Sequence, residues 1–251
     1  MIRRPPRSTL DRSSAASDVY KRQILQIENE YYSNIRPKRP SSANRRPIHA
    51  LRENGIEYLE VRCIDLDPFE AGGISAEACY FIDTFLLACA ISKSPLDSPE
   101  ELSSIDKNQK LVAETGRDEQ LRLSKDGRPC LLQEYAKDAL DACSAAAEIL
   151  DSANKTLAYS RSFQKRFAQT RAPETTLSAQ ILDSVRENGS FIDFSLDLAS
   201  QHLQTLRASP FSKIRQEIYD KEVKRSLRTQ KDLEQSPEAP FDKFLADYVA
   251  V

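Results

Sequence analysis

Tryptophan is absent from the 251 residues, methionine occurs once, histidine twice and glycine six times. Six glycines leave little scope for a glycine-rich phosphate cradle, and no G-x-x-x-x-G-K-[ST] loop occurs. Each histidine stands alone, His49 as a surface or capping residue and His202 as an ordinary boundary residue on a helix. The five cysteines are an odd number without C-x-x-C spacing, which points to neither a zinc cage nor a closed disulfide framework. They read as buried thiols of a reducing compartment. No apolar run approaches the ~20 residues that span a bilayer, and no internal repeat is present. Cytoplasmic residence is the default expectation.

Charge of one sign is lacking as well. With 36 basic and 38 acidic residues the formal charge is −2, which argues against a nucleic-acid surface and against a polybasic membrane anchor. Lys and Arg residues between Lys213 and Lys231 are interleaved with Glu217, Asp220 and Glu222, the pattern of a solvated salt-bridge face. A basic-helix nucleic-acid binder is therefore the weakest of the function classes considered. Met1 to Gln23 carries six Arg or Lys against two Asp, a local excess of four positive charges, with no apolar periodicity. It has no h-region of a signal peptide and resembles a translated adapter or vector leader. Residues 1–23 are set aside as non-native or disordered.

What is present begins with one stretch. From Ile56 to Phe69 the chain alternates like a β-strand, with Leu59, Val61 and Cys63 on one side and Tyr58, Glu60, Arg62 and Ile64 on the other. The first face is apolar, and the Cys63 thiol should pack there. The second presents a carboxylate and a guanidinium about 6 to 7 Å apart along the strand, close enough to act on one polyanion or on a metal-polyanion complex. Upstream, Tyr31 to Lys38 reads as a second strand, antiparallel to Tyr58 to Ile64. It places Asn34, Arg36 and Lys38 on one side, and Pro37 holds it to a sheet edge or strand end. Pro40 to Pro47 reads as a polar loop. Without further information, these charges would pass for the solvated side and the protected edge of an ordinary sheet.

Two blocks in register change that reading. Gly-Ile-Glu-Tyr-Leu-Glu-Val-Arg at Gly55 to Arg62, followed by Asp65, Asp67, Pro68 and Phe69, resembles a segment of the proteobacterial type of glutamate-cysteine ligase. Ile-Arg-Pro-Lys-Arg at Ile35 to Arg39 matches the same family in the same order. The resemblance runs from about Ile24 to the C-terminus and is strongest from Glu28 to Ala90. Ala-Glu-Thr-Gly-Arg at Ala113 to Arg117 is similar to a Glu-Gly-Arg motif of the family with one residue inserted, which leaves Glu114 and Arg117 without an assigned role.

The resemblance implies an α+β fold: a remnant of a curved antiparallel sheet like that of glutamine synthetase, at residues 24–75, followed by a mostly α-helical region at 76–251. It implies ATP-dependent ligation of the γ-carboxyl of L-glutamate to L-cysteine through a γ-glutamyl phosphate, the first step of glutathione biosynthesis. ATP and Mg²⁺ are the implied cofactors. Phosphoryl transfer concentrates negative charge, so such a site needs acidic side chains on the metal and cations on the phosphoryl group. By resemblance, Glu60 takes the metal and Arg62 the transferred phosphoryl, with Arg36, Lys38 and Arg39 holding nucleotide or acyl phosphate. Asp65 and Asp67 shape the turn that follows. Most of the family's metal carboxylates and substrate-binding residues come from an earlier part of its chain. The expectation is therefore a C-terminal fragment, inactive without that N-terminal portion. The alternative is a non-enzymatic helical structural or interaction protein.

The remaining periodicity is helical. Ser75 caps a helix over about Ala76 to Ser92 that should bury its stripe against the apolar face of the sheet. Further helices are expected over Leu102 to Gly116, Leu131 to Ala153, Tyr159 to Thr170, Pro173 to Arg186, Ile192 to Leu206 and Phe241 to Val249. Pro210 to Leu233 should be helical with one or more breaks, and Gln120 to Leu123 should be a brief strand or turn before Asp126-Gly127.

Overall fold

The structure is a computed structural model and describes residues 34–40, 46–62, 64–237 and 240–249. It is α+β and divides into two compact units, one of residues 1–65 with 216–251 and one of residues 66–215. Cys63 and the expected extension of the first strand over Tyr31 to Ser33 lie outside the described residues.

In the first unit, β1 (Ile35–Lys38) pairs antiparallel with β2 (Tyr58–Val61). Their connection holds a helix, α1 (Pro47–Asn54), which begins at the last residue of the span read as loop; residues 41–45 of that span lie outside the described residues. Pro47 sits at its first turn, where the missing N–H breaks no bond, and Gly55 ends it at φ 74° with its N–H on the Leu51 carbonyl. Eight residues with three apolar side chains give too short a period for the sequence pattern to register. The same unit contains α9 (Phe241–Val249) and most of α8 (Lys213–Gln235), which is continuous where breaks were expected; neither helix buries a residue.

The second unit is built on a helix pair and a crossing partner. Ser75 Oγ accepts the Ala78 N–H at 3.1 Å and opens α2 (Ala76–Ile91). Its apolar stripe packs within this unit. It lies on α4 (Leu132–Asn154) and α5 (Ala158–Gln169), where Ala88, Leu140, Cys143 and Ala146 form the core, with Phe81, Leu87, Phe163 and Phe167 packed around them. The Ala-rich face of α4 explains the choice: small side chains let α2 and α5 approach, and their Phe rings fill the space. Thus only Cys143 of the described cysteines is buried, whereas Cys79 and Cys89 are exposed. Burial pushes the Cys143 thiol up.

Three buried polar groups tie the remaining pieces to this core. Between α3 (Pro99–Thr115) and α4 runs a hairpin, β3 (Arg122–Lys125) and β4 (Arg128–Leu131). Its two-residue turn has Asp126 at φ 50° and Gly127 at φ 74°, the left-handed pair that matches strand twist. Asn108 of α3 acts as a strand toward β3: its Nδ2 donates to the Ser124 carbonyl at 2.8 Å and its Oδ1 accepts the Ser124 N–H at 2.9 Å. Ser162 Oγ of α5 donates to the Glu77 carbonyl at 2.6 Å, with Lys165 paired to the Glu77 carboxylate alongside. Asp151, 6% exposed near the end of α4, accepts the N–H groups of Tyr159 and Ser160 at 3.0 Å each, capping α5 from the preceding helix.

Beyond α5, a 3₁₀ turn (Pro173–Thr175) precedes α6 (Leu177–Asn188), so the helix expected from Pro173 is split by the extended Thr176. α7 (Phe191–Ala208) then packs the Phe194 ring edge-on to Phe69 at 5.9 Å, and its His202 Nε2 meets the Pro68 carbonyl at 2.8 Å. Asp67 closes that turn by accepting the Phe69 N–H. No helix among the described residues is long and apolar enough to cross a membrane.

Replacing Asn108 by Ala leaves both Ser124 groups without their partner; a loss of about 1–3 kcal/mol in urea unfolding is expected. Asp151 gives a second test. Burial opposes its charge, but the bonds from Ser160 and Tyr159 outweigh it and hold the carboxyl below the usual carboxylate range. Its stabilisation is therefore complete above about pH 4 and is lost as pH falls through the lower folded-state value. Asp151→Asn should destabilise by about 1–2 kcal/mol at pH 7, and the gap to wild type should close on acidification.

Candidate functional site

The register of the first hairpin sets the site. Ile35 stands opposite Val61, Arg36 opposite Glu60, Pro37 opposite Leu59 and Lys38 opposite Tyr58. Alternation then puts Arg36, Lys38, Tyr58 and Glu60 on one face. The pairing continues one step past the strand end, where the Arg62 N–H donates to the Asn34 carbonyl at 2.7 Å. That step places Arg62 opposite Asn34 and on the Glu60 side of the hairpin.

On this face Glu60 is held between two cations. Its Oε2 lies 3.5 Å from Lys38 Nζ and 3.8 Å from Arg36 Nη1. The same oxygen is covered from solvent yet accepts no hydrogen bond among the described residues. A covered carboxylate oxygen with ion-pair neighbours but no donor in bonding range still has its lone pairs to offer to a cation. The three side chains are 20–38% exposed, so the cluster is partly screened and open to a ligand.

Arg39 is engaged elsewhere. Its Nη1 donates to the Asn54 carbonyl at 2.8 Å and to the Gly55 carbonyl at 3.3 Å, and its Nε lies 4.0 Å from Glu57. A guanidinium there neutralises the carbonyl end of α1 and fixes the entry into β2. Arg36, Lys38 and Glu60 are thus brought together, Arg62 stands one pairing beyond them, and Arg39 buttresses the strand that carries Glu60. Sequence reasoning missed that buttress because α1 was not foreseen.

On the opposite face Leu59 is 44% exposed and Val61 is half-buried. The charged side, with Arg36, Lys38 and Glu60 half-buried, is the better covered one.

A single carboxylate fits Mg²⁺ only as one contributor. That ion demands six oxygens and commonly combines one or two carboxylates with phosphate and water. No group of three His, Cys, Asp or Glu side chains able to hold a metal occurs among the described residues. Farther along, Gly116 ends α3 at φ −60°, where an added Cβ would lie 2.4 Å from the Val112 carbonyl oxygen. This crowding accounts for a glycine in Ala113 to Arg117 without any role in chemistry.

Residues 13–112 match the family model described as glutamate-cysteine ligase, a match that begins inside the segment set aside on composition. The glutamate-cysteine ligase of Bordetella parapertussis is 41% identical over 230 residues, covering 90% of this chain and 44% of the relative. That of Pseudomonas fluorescens is 38% identical over 228 residues, covering 90% and 43%. The crystal structure of glutamate-cysteine ligase from Francisella tularensis in complex with AMP superposes with a TM-score of 0.81 at 30% identity, covering 90% of this chain and 45% of that one. The chain spans less than half the length of the relatives it matches.

The two arginine and glutamate positions separate by stability. Glu60 makes only partly exposed ion pairs, so Glu60→Gln should change unfolding free energy by less than about 1 kcal/mol. Arg39→Ala removes two carbonyl partners at a helix end and should cost about 1–2 kcal/mol in the same denaturant series.

Proposed function

From a chain that aligns with glutamate-cysteine ligases over nine-tenths of its length, we propose that the β1–β2 hairpin is the phosphate- and metal-facing wall of such a ligase. The reaction joins the γ-carboxyl of L-glutamate to the amine of L-cysteine. The γ-carboxylate oxygen takes the terminal phosphoryl group of ATP and ADP leaves; the amine then attacks the acyl carbon, the C–O bond to phosphate breaks, and the ammonium proton is lost. One observation carries the reading: a carboxylate oxygen covered from solvent, without a hydrogen bond, and flanked by two cations on a strand that matches the family.

The charges suit this task. Glu60 supplies an oxygen to a divalent ion, and Arg62, one step along the same side, reaches the phosphoryl group being transferred. Arg36 and Lys38 neutralise Glu60 in the free protein and turn to nucleotide or acyl phosphate oxygens when these arrive. Magnesium, when bound, would draw negative charge from the phosphates. A rigid strand pair sets the spacing of these groups without a loop's ordering entropy. The AMP held by the Francisella relative supports a nucleotide as a ligand of such a ligase.

The described residues provide one carboxylate for the metal and no group of three ligands, so this chain alone is read as catalytically incomplete. Its missing counterpart is the part of a glutamate-cysteine ligase that it does not span. Fusing that part of the Bordetella parapertussis ligase ahead of this chain should restore formation of ADP and γ-glutamylcysteine from ATP, Mg²⁺, glutamate and cysteine. In that fusion, Glu60→Gln and Arg62→Ala should each lower kcat/KM by about 10²–10³-fold. Turnover by the unfused chain, or full activity of both variants, would sink the assignment.

A further inference from the structure

The tetrapeptide Arg-Glu-Asn-Gly occurs twice, at Arg52 to Gly55 and at Arg186 to Gly189. Both copies end a helix. Asn54 is the last residue of α1 and Asn188 the last of α6, and the glycine after each is left-handed, at φ 74° and 81°. Both asparagines are exposed. An Asn-Gly linkage is open to a reaction of its own, because glycine puts no side chain beside its main-chain nitrogen. That nitrogen loses its proton to water and attacks the asparagine Cγ. The new N–Cγ bond closes a five-membered imide, the Cγ–Nδ2 bond breaks, and Nδ2 takes up a proton and leaves as ammonia. One water then opens the imide. Attack at Cγ gives aspartate, and attack at the main-chain carbonyl gives isoaspartate, whose backbone runs through the β-carbon.

The two copies differ in what holds the attacking nitrogen. At the end of α1 the Gly55 N–H donates to the Leu51 carbonyl at 2.9 Å, and Arg39 Nη1 spans the Asn54 carbonyl at 2.8 Å and the Gly55 carbonyl at 3.3 Å. Bringing the Gly55 nitrogen onto Asn54 Cγ requires rotation about the Asn54 Cα–C bond, which breaks these bonds. At the end of α6 the Gly189 N–H donates no hydrogen bond among the described residues. The same rotation there breaks no main-chain bond at the linkage. What holds Asn188 is its side chain, whose Nδ2 donates to the Ser184 carbonyl at 2.8 Å; the corresponding contact of Asn54 Nδ2 with the Ala50 carbonyl is 3.5 Å. An exposed side chain changes rotamer far faster than an imide forms, so that bond does not gate the reaction.

We propose that Asn188 is a spontaneous deamidation site of this chain, and that Asn54, in the same tetrapeptide, is shielded by the bonds that end α1. This goes beyond the ligase reading and does not rest on it. The shielding falls where a longer backbone would do most harm. Gly55 stands shortly before β2, and an isoaspartyl link there would shift the register that sets Arg36 opposite Glu60. Between α6 and α7 the same lengthening falls in a short link between two helices, where no strand register is at stake.

Peptide mapping by mass spectrometry of the full chain, held folded in mildly alkaline buffer, should show Asn188 converting to aspartate and isoaspartate about tenfold faster than Asn54. In strong denaturant the two should convert at comparable rates, because the four residues around each linkage are the same. Arg39→Ala should raise the Asn54 rate in the folded chain about two- to fivefold and leave the Asn188 rate unchanged, which separates local release from general unfolding. Equal rates in the folded chain, or a faster Asn54, overturn the proposal. So does a denatured chain that keeps the tenfold difference, which would assign it to the following residues, Ile56 and Ser190. An Asn54 rate that Arg39→Ala leaves unmoved overturns it as well.

Discussion

The chemistry of this chain hangs on one cross-strand pairing. Because Arg36 stands opposite Glu60 in an antiparallel ladder, both side chains must leave the hairpin on the same side, and Lys38 follows two residues along. A slip of one residue would send all three to the other face. The register is fixed from both ends: the Arg62–Asn34 bond extends the ladder at one end, and Arg39 clamps the α1–β2 junction at the other. The first tie is made by main-chain atoms and leaves the Arg62 side chain outside the ladder; the second uses a side chain that faces the end of α1.

The helical unit solves its assembly with few buried side chains and with polar groups aimed at backbone. Asn108 pairs with Ser124 as a strand would, Asp151 caps a helix that begins seven residues later, and Ser162 bonds a carbonyl of the neighbouring helix. Each satisfies a main-chain group that would otherwise be buried unmet, at a cost of about 1–3 kcal/mol. Such ties are directional, whereas the Ala-rich contact between α2 and α4 is permissive of sliding. Together they explain how small side chains specify one arrangement.

What could be read from the sequence follows from the length of its periods. The strand pair was legible because alternation over Tyr58 to Arg62 combined with charge, and the long helices because their stripes exceed three turns. Phe241 to Val249 was read to the residue, its apolar side chains recurring at i, i+3, i+4 and i+7. α1 was not legible, since eight residues give barely two turns. The partners of α2 within its unit, α4 and α5, were not legible either: periodicity shows that a helix has an apolar stripe and says nothing of which surface receives it. The Asp151 and Asn108 ties join residues 8 to 16 apart through single polar atoms, a relation with no sequence signature. At the candidate site, the face shared by Arg36, Lys38 and Glu60 was legible, but the clamp by Arg39 depended on the unforeseen helix.

The surroundings of Glu60 also argue for what its chemistry requires. Unit charges 4 Å apart interact by about 1 kcal/mol in water and about 4 kcal/mol at an effective dielectric of 20, so the same residues become far more potent once water is excluded. Here Glu60 and Lys38 are still 38% and 29% exposed, and the neighbouring Ile56 and Tyr58 are each more than half exposed. Apolar side chains around a charged cluster are the material from which a dry site is made, provided another surface closes over them. The hairpin holds the charges in order, and in the ligase reading proposed above the water would be excluded by whatever surface packs on those exposed side chains.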